Sequence, residues 1–362
     1  MTGRKVVKGV RILVSTRKGL FIYESDRRRS AWKRRGPYLE GQEVFHSAID
    51  PRDGKTLYAA VNGWMKGAVW KTTNLGRTWD VSPIPTKKIW SISFGHSSEP
   101  GTVYAGGMPA ALYKSVDSGG SWKEVRSLTR QPSRKEWMPG AGGLCLHTIL
   151  QDPLDLDRLY VAISAVGAFV TRNGGKTWKP INEGVTSLAV EMGMKKQRFP
   201  QIHRCVHKMA LHSTRPGALY QQNHMGVYRT AGWDRKWRKI SSGLSSEFGM
   251  ALAVHPREGE TIFVVPIASG MLHWAPRARL AVYRSRDGGK KWKRLSRGLP
   301  QGDAWLNVLR DALCTDTLDP VGVYFGTNTG QLYASRNEGD AWKPILEYLP
   351  PITAVTASPI YR

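Results

Sequence analysis

The chain has 362 residues, of which 41% are hydrophobic and 10% aromatic, so it can build a sizeable core and is not expected to be disordered. Lysine and arginine outnumber aspartate and glutamate by 54 to 28, and this formal charge of +26 favours contact with polyanions. The three cysteines, Cys145, Cys205 and Cys314, are far apart and lack CxxC spacing, which indicates buried, reduced thiols. No stretch has the length of a signal-peptide core or a membrane span, so we expect a cytoplasmic protein.

One short motif recurs along the chain with a period of roughly 50 residues, which is typical of repeat architectures. Five copies follow the pattern S/T-x-D/N-x-G-x-x-W, and two weaker copies end at Trp32 and Trp237. We expect the Asp or Asn to cap a turn, the Gly to adopt a positive φ and the Trp to pack between strands. The predicted structural residues are Asn74, Gly76, Trp79, Asp117, Gly119, Trp122, Asn173, Gly175, Trp178, Asp287, Gly289, Trp292, Asn337, Gly339 and Trp342.

Each motif has short strand patterns on both sides, such as "TLYAAV" and "GAVWK" before it, and these give four antiparallel strands per repeat. Residues 10–36 supply only strands two to four of the first repeat, and residues 350–358 supply its innermost strand. The sequence therefore predicts an all-β, seven-bladed propeller with Asp-box turns, closed by the C-terminal strand in the first blade. We expect residues 1–362 to form this one domain as a monomer.

The repeats resemble those of the Asp-box or BNR-repeat propellers, a superfamily that includes sialidases, sortilin-type receptors and photosystem II assembly factors. The stretches "PGAGGLCLHTI", "LYQQNHMGVYR" and "GVYFGTNTGQLYAS" are similar to bacterial YVTN/BNR-like proteins labelled exo-alpha-sialidase. A sialidase would need three arginines, a tyrosine nucleophile with its glutamate and an aspartate acid/base. This chain offers Arg204 and Arg310 but no F-R-I-P motif and no assignable Tyr–Glu pair.

The long irregular segments all fall on the propeller face opposite the motif turns, and we call this side the loop face. We expect any site there, because loops on a rigid scaffold carry function. Five tryptophans outside the motifs map to the loop face and are candidates either to stack on a sugar or base or to fill gaps between loops: Trp64, Trp90, Trp137, Trp274 and Trp305.

Polar residues recur at equivalent positions of the innermost strands, which line the central channel. His46, His147, His207 and Asp311 are the candidates for a divalent metal such as zinc, the alternative being a hydrogen-bonded network. His224 is expected to be a cross-strand neighbour of His207 and a further ligand-binding candidate.

The predicted function is a non-catalytic binding or assembly scaffold with a polar channel-mouth pocket and a basic surface for an acidic protein partner or another polyanion. The first alternative is a sialidase-like glycoside hydrolase, with or without a metal, whose weak catalytic candidates are Arg204, Arg310, Asp311 and Glu247. The second alternative is a nonspecific nucleic-acid binder, held by charge.

Overall fold

The computed structural model describes residues 6–63, 66–187, 193 and 198–361. These residues form seven four-stranded antiparallel sheets. The innermost strand of each sheet contacts the innermost strands of the two neighbouring sheets, and the contacts run in a closed cycle. The predicted all-β, seven-bladed propeller is therefore confirmed.

The elements follow one another in a regular order, with short helical turns only in two loops. The strands are β1 (Val7–Thr16), β2 (Gly19–Asp26), β3 (Lys33–Tyr38), β4 (Glu43–Ile49), β5 (Leu57–Asn62), β6 (Gly67–Thr72), β7 (Asp80–Pro83), β8 (Lys88–Phe94), β9 (Val103–Met108), β10 (Leu112–Ser115), β11 (Lys123–Glu124), β12 (Leu146–Gln151), β13 (Leu159–Ile163), β14 (Gly167–Thr171), β15 (Lys179–Pro180), β16 (Lys208–Leu211), β17 (Leu219–Asn223), β18 (Gly226–Thr230), β19 (Arg238–Lys239), β20 (Gly249–Val254), β21 (Ile262–Pro266), β22 (Val282–Ser285), β23 (Lys293–Leu295), β24 (Leu313–Thr315), β25 (Val323–Gly326), β26 (Leu332–Ser335), β27 (Lys343–Leu346) and β28 (Ile352–Tyr361). The helices are α1 (Arg126–Thr129) and the 3-10 turns Pro132–Glu136 and Pro276–Ala278. No helix in the described part of the chain has the length and apolar character to cross a membrane.

Blade 1 has the order β28-β1-β2-β3, and each later blade uses four consecutive strands. The C-terminal strand β28 pairs antiparallel with β1, with Val14 opposite Val355. This is the predicted closure of the ring by the last strand. The first blade is longer than expected, since its strands cover Val7–Tyr38 and Ile352–Tyr361 with two short turns.

The turns that carry the repeated motif, which we call box turns, join strands three and four, and their hydrogen bonds explain the motif. In the second box, Ser115 Oγ donates to Asp117 Oδ1 at 2.7 Å and accepts from the backbone N–H of Gly119 at 2.8 Å. The Asp117 carboxylate also accepts from the N–H of Ser121 at 2.9 Å. Gly119 has a φ of +84°, which favours glycine. The other four boxes repeat this geometry at Gly76, Gly175, Gly289 and Gly339.

Adjacent blades are joined by an aromatic residue at one position of the second strand. Tyr58, for example, is fully buried, and its hydroxyl donates to the carbonyl of Ser118 in the box turn of the next blade. The residues at this position are Tyr58, Tyr104, Tyr160, Tyr220, Phe263 and Tyr324. Large buried rings on the second strands of six of the seven blades make the ring of blades a rigid support for the loops.

The seam between blades 7 and 1 contains a buried ion pair. Arg29 Nη1 lies 3.0 Å from Asp316 Oδ2, and both side chains are less than 5% exposed. The Tyr324 hydroxyl donates to the same carboxylate oxygen at 2.7 Å. The pair links the end of β2 to the turn that follows β24, so it reinforces the closure made by β28.

Candidate functional site

The loop face is built from the connections between strands two and three and between blades. The longest described ones join β11 to β12, β21 to β22 and β23 to β24. The last two are held together by main-chain bonds, because the N–H of Ala275 donates to the carbonyl of Leu306 at 2.9 Å. The side chain of Asn307 also donates to the carbonyl of His273 at 2.6 Å. These loops surround one side of the channel mouth.

A group of rings lies at the mouth beside blade 5, and we call His207, His224, Phe248 and His273 the imidazole cluster. The ring centroids of His207 and His224 are 4.7 Å apart, and Phe248 lies 5.0–5.8 Å from all three imidazoles. His207 pairs through its N–H with the carbonyl of Gln222, and His224 lies in the turn between β17 and β18. The structure thus brings His207 and His224 together, as the sequence predicts.

The buried imidazoles of the channel are held in the neutral form. Burial, together with the positive charge of Arg310, lowers the pKa of His207 to about 3. Burial also lowers the pKa of His147 well below its ordinary value, with Arg310 and Lys208 contributing. A ring that is neutral near pH 7 can accept a proton or donate a lone pair.

A charged pair lies in the channel below the imidazole cluster. Lys208 Nζ lies 2.5 Å from Asp311 Oδ1, and only 3% of the Asp311 side chain is exposed. Burial opposes ionisation of Asp311, but Lys208 and His46 outweigh it and lower the pKa of the carboxyl. Asp311 is therefore an ionised carboxylate, and its Oδ2 has no hydrogen-bond partner among the described residues.

The predicted metal ligands His46, His147, His207 and Asp311 do not form one ligand set. Both ring nitrogens of His147 are in hydrogen bonds, Nδ1 with the Thr148 hydroxyl and Nε2 with the carbonyl of Val206, each at 2.9 Å. Within the described ranges, the donor group with ligand spacing is instead Cys205, His207 and His224. The prediction fails because the position of a ring nitrogen depends on how the imidazole is turned. Equivalent positions on the innermost strands do not determine that orientation.

The weak catalytic candidates occupy different surroundings. Arg310 stacks its guanidinium over Trp90, 5.0 Å from the ring centroid, and its Nε is buried with no partner in the described structure. Arg204 donates to the carbonyl of Pro200 at 2.9 Å. Glu247 is half exposed and forms an ion pair with Lys239 on an outer strand at 2.6 Å, and no hydrogen bond or ion pair joins it to Lys208 or Asp311 in the described structure.

The loop-face tryptophans differ in exposure. Trp90 and Trp137 are 8% and 6% exposed and pack against Phe45 and Phe169, so both rings are buried. Trp90 lies within β8, the innermost strand of blade 3, and not in a loop. Trp305 is 58% exposed and meets Trp274 edge to face at 5.3 Å. We call Trp274 and Trp305 the aromatic platform. The fifth candidate, Trp64, lies outside the described residues.

Comparison with known proteins finds relatives of this chain among glycoside hydrolases. No family model matches the chain. It is 23% identical over 311 residues to the oligoxyloglucan-reducing end-specific xyloglucanase of Emericella nidulans, covering 74% of this chain and 36% of that protein. It is 25% identical over 275 residues to a xyloglucanase of a Paenibacillus species, covering 68% and 26% respectively. The GH74 xyloglucanase structure from Xanthomonas campestris superimposes with a TM-score of 0.64 at 18% identity, covering 92% of this chain and 52% of that one.

The chain is similar in fold to a xyloglucanase propeller. It spans 36% and 26% of the lengths of the two curated relatives it matches. These relatives overturn the prediction of a non-catalytic, protein-binding scaffold, since both bear the names of glycoside hydrolases. The sialidase-like description is corrected with it, because the enzymes found are xyloglucanases.

Sequence reasoning missed four members of the channel mouth. Phe248 and His273 come from loops of unrelated sequence and carry no local signal. Lys208 follows directly after His207, and its position on the first strand of blade 5 indicates a channel-lining side chain. Cys205 is the buried, reduced thiol that the sequence predicts, and its Cys-x-His spacing to His207 is the signal that could have placed it at the mouth.

Proposed function

We propose that this propeller is a glycoside hydrolase that binds glucan chains of the xyloglucan type across its loop face. The observation that carries the proposal is the aromatic platform, an exposed tryptophan braced by a second one beside a charged channel mouth. The names of the two curated relatives support the substrate class. The five box turns further support placing the repeats among the Asp-box propellers.

The platform suits a sugar because the two faces of a pyranose ring are apolar and pack on flat aromatic surfaces. Trp305 already exposes more than half of its surface to water, so covering it with a sugar removes apolar area from solvent at little conformational cost. The edge-to-face contact with Trp274 restricts the orientation of the exposed ring. Preorganisation of this kind favours a specific glycan contact over nonspecific adhesion.

A glycan seated on the platform would continue toward the channel mouth. His273 precedes Trp274 in the chain and contacts Phe248, which in turn packs on His207 and His224. The bound chain would therefore run from the aromatic platform over the imidazole cluster. Its next sugar would meet the polar groups of the mouth.

Hydrolysis of a glycosidic bond uses two carboxyl groups, one of which is ionised. Asp311 fits the ionised member, because Lys208 holds Oδ1 and lowers the pKa of the carboxyl, while the buried Oδ2 has no hydrogen-bond partner in the described structure. A carboxylate that is kept ionised can act as a general base, but it has no proton to donate as a general acid. Arg310 adds a positive charge beside this carboxylate.

The test measures binding and bond cleavage separately on xyloglucan oligosaccharides. The wild-type protein should bind them in calorimetry and release new reducing ends. Trp305→Ala should weaken binding about fivefold or more, the equivalent of roughly 1 kcal/mol. Tyr348→Ala is the matched control, since this ring is 90% exposed on the loop face and has no aromatic contact in the described structure; it should bind as the wild type does.

The second arm tests chemistry. Asp311→Asn keeps the shape of the side chain and should abolish reducing-end release while leaving oligosaccharide binding in place. Binding without release by the wild-type protein would refute the hydrolase part of the proposal. Absence of both binding and release on xyloglucan and on unbranched β-glucans would refute it entirely.

A further inference from the structure

The metal-ligating atoms of Cys205, His207 and His224 all lie within 4.8 Å of one another. Cys205 and His207 belong to the segment that enters β16, and His224 faces them from the turn after β17. A shared ion would hold such donors roughly 3.5 Å apart, given bond lengths near 2.0–2.3 Å and tetrahedral geometry. We propose that Cys205, His207 and His224 bind one divalent transition-metal ion of the zinc type.

His207 is already held as a metal-ligating histidine is. Its Nδ1 lies 2.6 Å from the carbonyl oxygen of Gly249, which can only accept, so Nδ1 carries the proton. The lone pair is then on Nε2. An imidazole fixed in this way by a backbone carbonyl is the usual arrangement behind a metal ligand, since it sets the tautomer and the ring direction.

His224 provides the second nitrogen. Its ring contacts His207 and Phe248, but no hydrogen bond to its side chain is found within the described residues. Burial and the neighbouring His273 lower its pKa, which keeps the ring neutral. A neutral, half-buried imidazole without a polar partner, facing a second imidazole and a thiol, has its lone pair to give to an ion.

Cys205 provides the sulfur. Burial raises the pKa of this thiol to about 11, although Arg310 and the N–H groups of Ala165 and His224 act in the opposite direction. The thiol therefore keeps its proton near pH 7. Binding a divalent ion M²⁺ replaces that proton: the S–H bond is broken, an S–M bond forms, and H⁺ leaves to solvent. The resulting thiolate offsets the repulsion between the ion and Arg310.

The donor set selects the class of ion. One thiolate and two imidazoles suit zinc, cobalt or copper and do not suit calcium or magnesium, which prefer oxygen. Three protein ligands leave the fourth tetrahedral position to water, the pattern of zinc sites that act on substrates. His224 is the most exposed of the three, so that position opens toward the channel mouth.

The experiment uses Co²⁺ as a spectroscopic probe for zinc, with the full chain first dialysed against a chelator. One Co²⁺ per chain should bind and give the near-ultraviolet charge-transfer band of a cobalt–thiolate bond. Cys205→Ser should abolish this band. Cys205→Ser and His224→Gln should each weaken Co²⁺ binding about 100-fold or more, since loss of a hydrogen-bond partner behind a metal ligand alone costs 10–100-fold in metal affinity. The matched controls Cys145→Ser and His273→Gln remove a neighbouring thiol and a neighbouring imidazole outside the ligand group, and both should keep wild-type affinity.

Proton release gives a second readout that needs no variant. Addition of Zn²⁺ to the metal-free wild-type protein at neutral pH should release about one proton per ion bound, in an indicator assay. Binding of Co²⁺ without a thiolate band, zinc binding without proton release, or equal affinity in folded Cys205→Ser would each overturn the proposal. No sugar is present in these assays, so their failure is distinguishable from failure of the glycan proposal.

Discussion

The buried pair at the seam of the ring allows a quantitative test of how the propeller is closed. In Arg29→Met, the Asp316 carboxylate stays buried with no countercharge, a change that costs about 3–5 kcal/mol in comparable pairs. Asp316 keeps the hydroxyl of Tyr324 and the N–H groups of Leu318 and Gly322. These bonds still solvate the charge, so we expect a loss at the low end of that range, about 3 kcal/mol in the free energy of unfolding.

The assay is urea unfolding followed by tryptophan fluorescence, in which Arg29→Met should lower the midpoint without changing the slope. Lys236→Met is the matched control, because its pair with Glu183 is even shorter, at 2.7 Å, but both side chains are more than half exposed, so the substitution should cause no measurable loss. The double variant Arg29→Met/Asp316→Leu should recover part of the stability lost by the single variant, since the orphaned charge is gone. If Arg29→Met is no more destabilising than Lys236→Met, the reasoning is refuted.

Three other outcomes are expected. The folded protein holds His207 at a pKa of about 3, against about 6.5 when unfolded. The unfolded state therefore binds a proton that the folded state does not, and stability should fall by up to about 1.4 kcal/mol per pH unit as the pH drops from about 6.5 toward 3. His207→Gln should flatten this acid limb in urea midpoints measured at several pH values; an unchanged slope would exclude His207 as its source. Deletion of Ile352–Tyr361 leaves β1 with an unpaired edge, so the truncated protein should melt at lower temperature and elute as aggregates in size exclusion, whereas a monomer of wild-type melting temperature would contradict closure by β28. The polyanion contact that the sequence predicts can be tested with single-stranded DNA, whose affinity should then fall steeply with salt and weaken in Lys236→Glu, in a basic groove beside blade 5; an affinity independent of salt would contradict binding by charge.

The fold could be predicted because each repeat contains the residues that determine its own turn and the strands on either side. A box such as "SVDSGGSW" fixes a turn within eight residues, through Ser115, Asp117 and Gly119. The strands on either side then follow from turn spacing alone. The lone strand pattern near the C-terminus identified the closure because the first repeat was one strand short.

The channel mouth could be predicted only where backbone pairing determines proximity. His207 and His224 were placed together by counting residues across one hairpin. Equivalence between blades did not give the direction of the His147 ring, which turns to the carbonyl of Val206. The exposure of the tryptophans could not be predicted either, because Trp90 lies in β8 and packs against Phe45, whereas Trp305 lies in a loop and is exposed.

The function was misjudged for a related reason. Glycoside hydrolysis depends on the distance between two carboxyl groups, and residues from separate blades have no fixed separation in the sequence. Asp311 was named among several carboxylates, yet its partner Lys208 comes from another blade. The long-range geometry of a propeller site is set by the ring, and a single repeat does not contain it.

The first blade, which combines β28 with β1–β3, also determines where a tag or linker can be attached without covering the channel mouth. Val7 lies opposite Tyr361, and both are at the far end of their strands from the Thr16–Gly19 turn on the loop face. Tyr361 accordingly lines a groove with Asn74 and Arg77 of the first box turn. An affinity tag, a surface linker or a fused domain attached at either residue would emerge on the side opposite the channel mouth. The protein can therefore be immobilised through these residues with its loop face turned toward the solution.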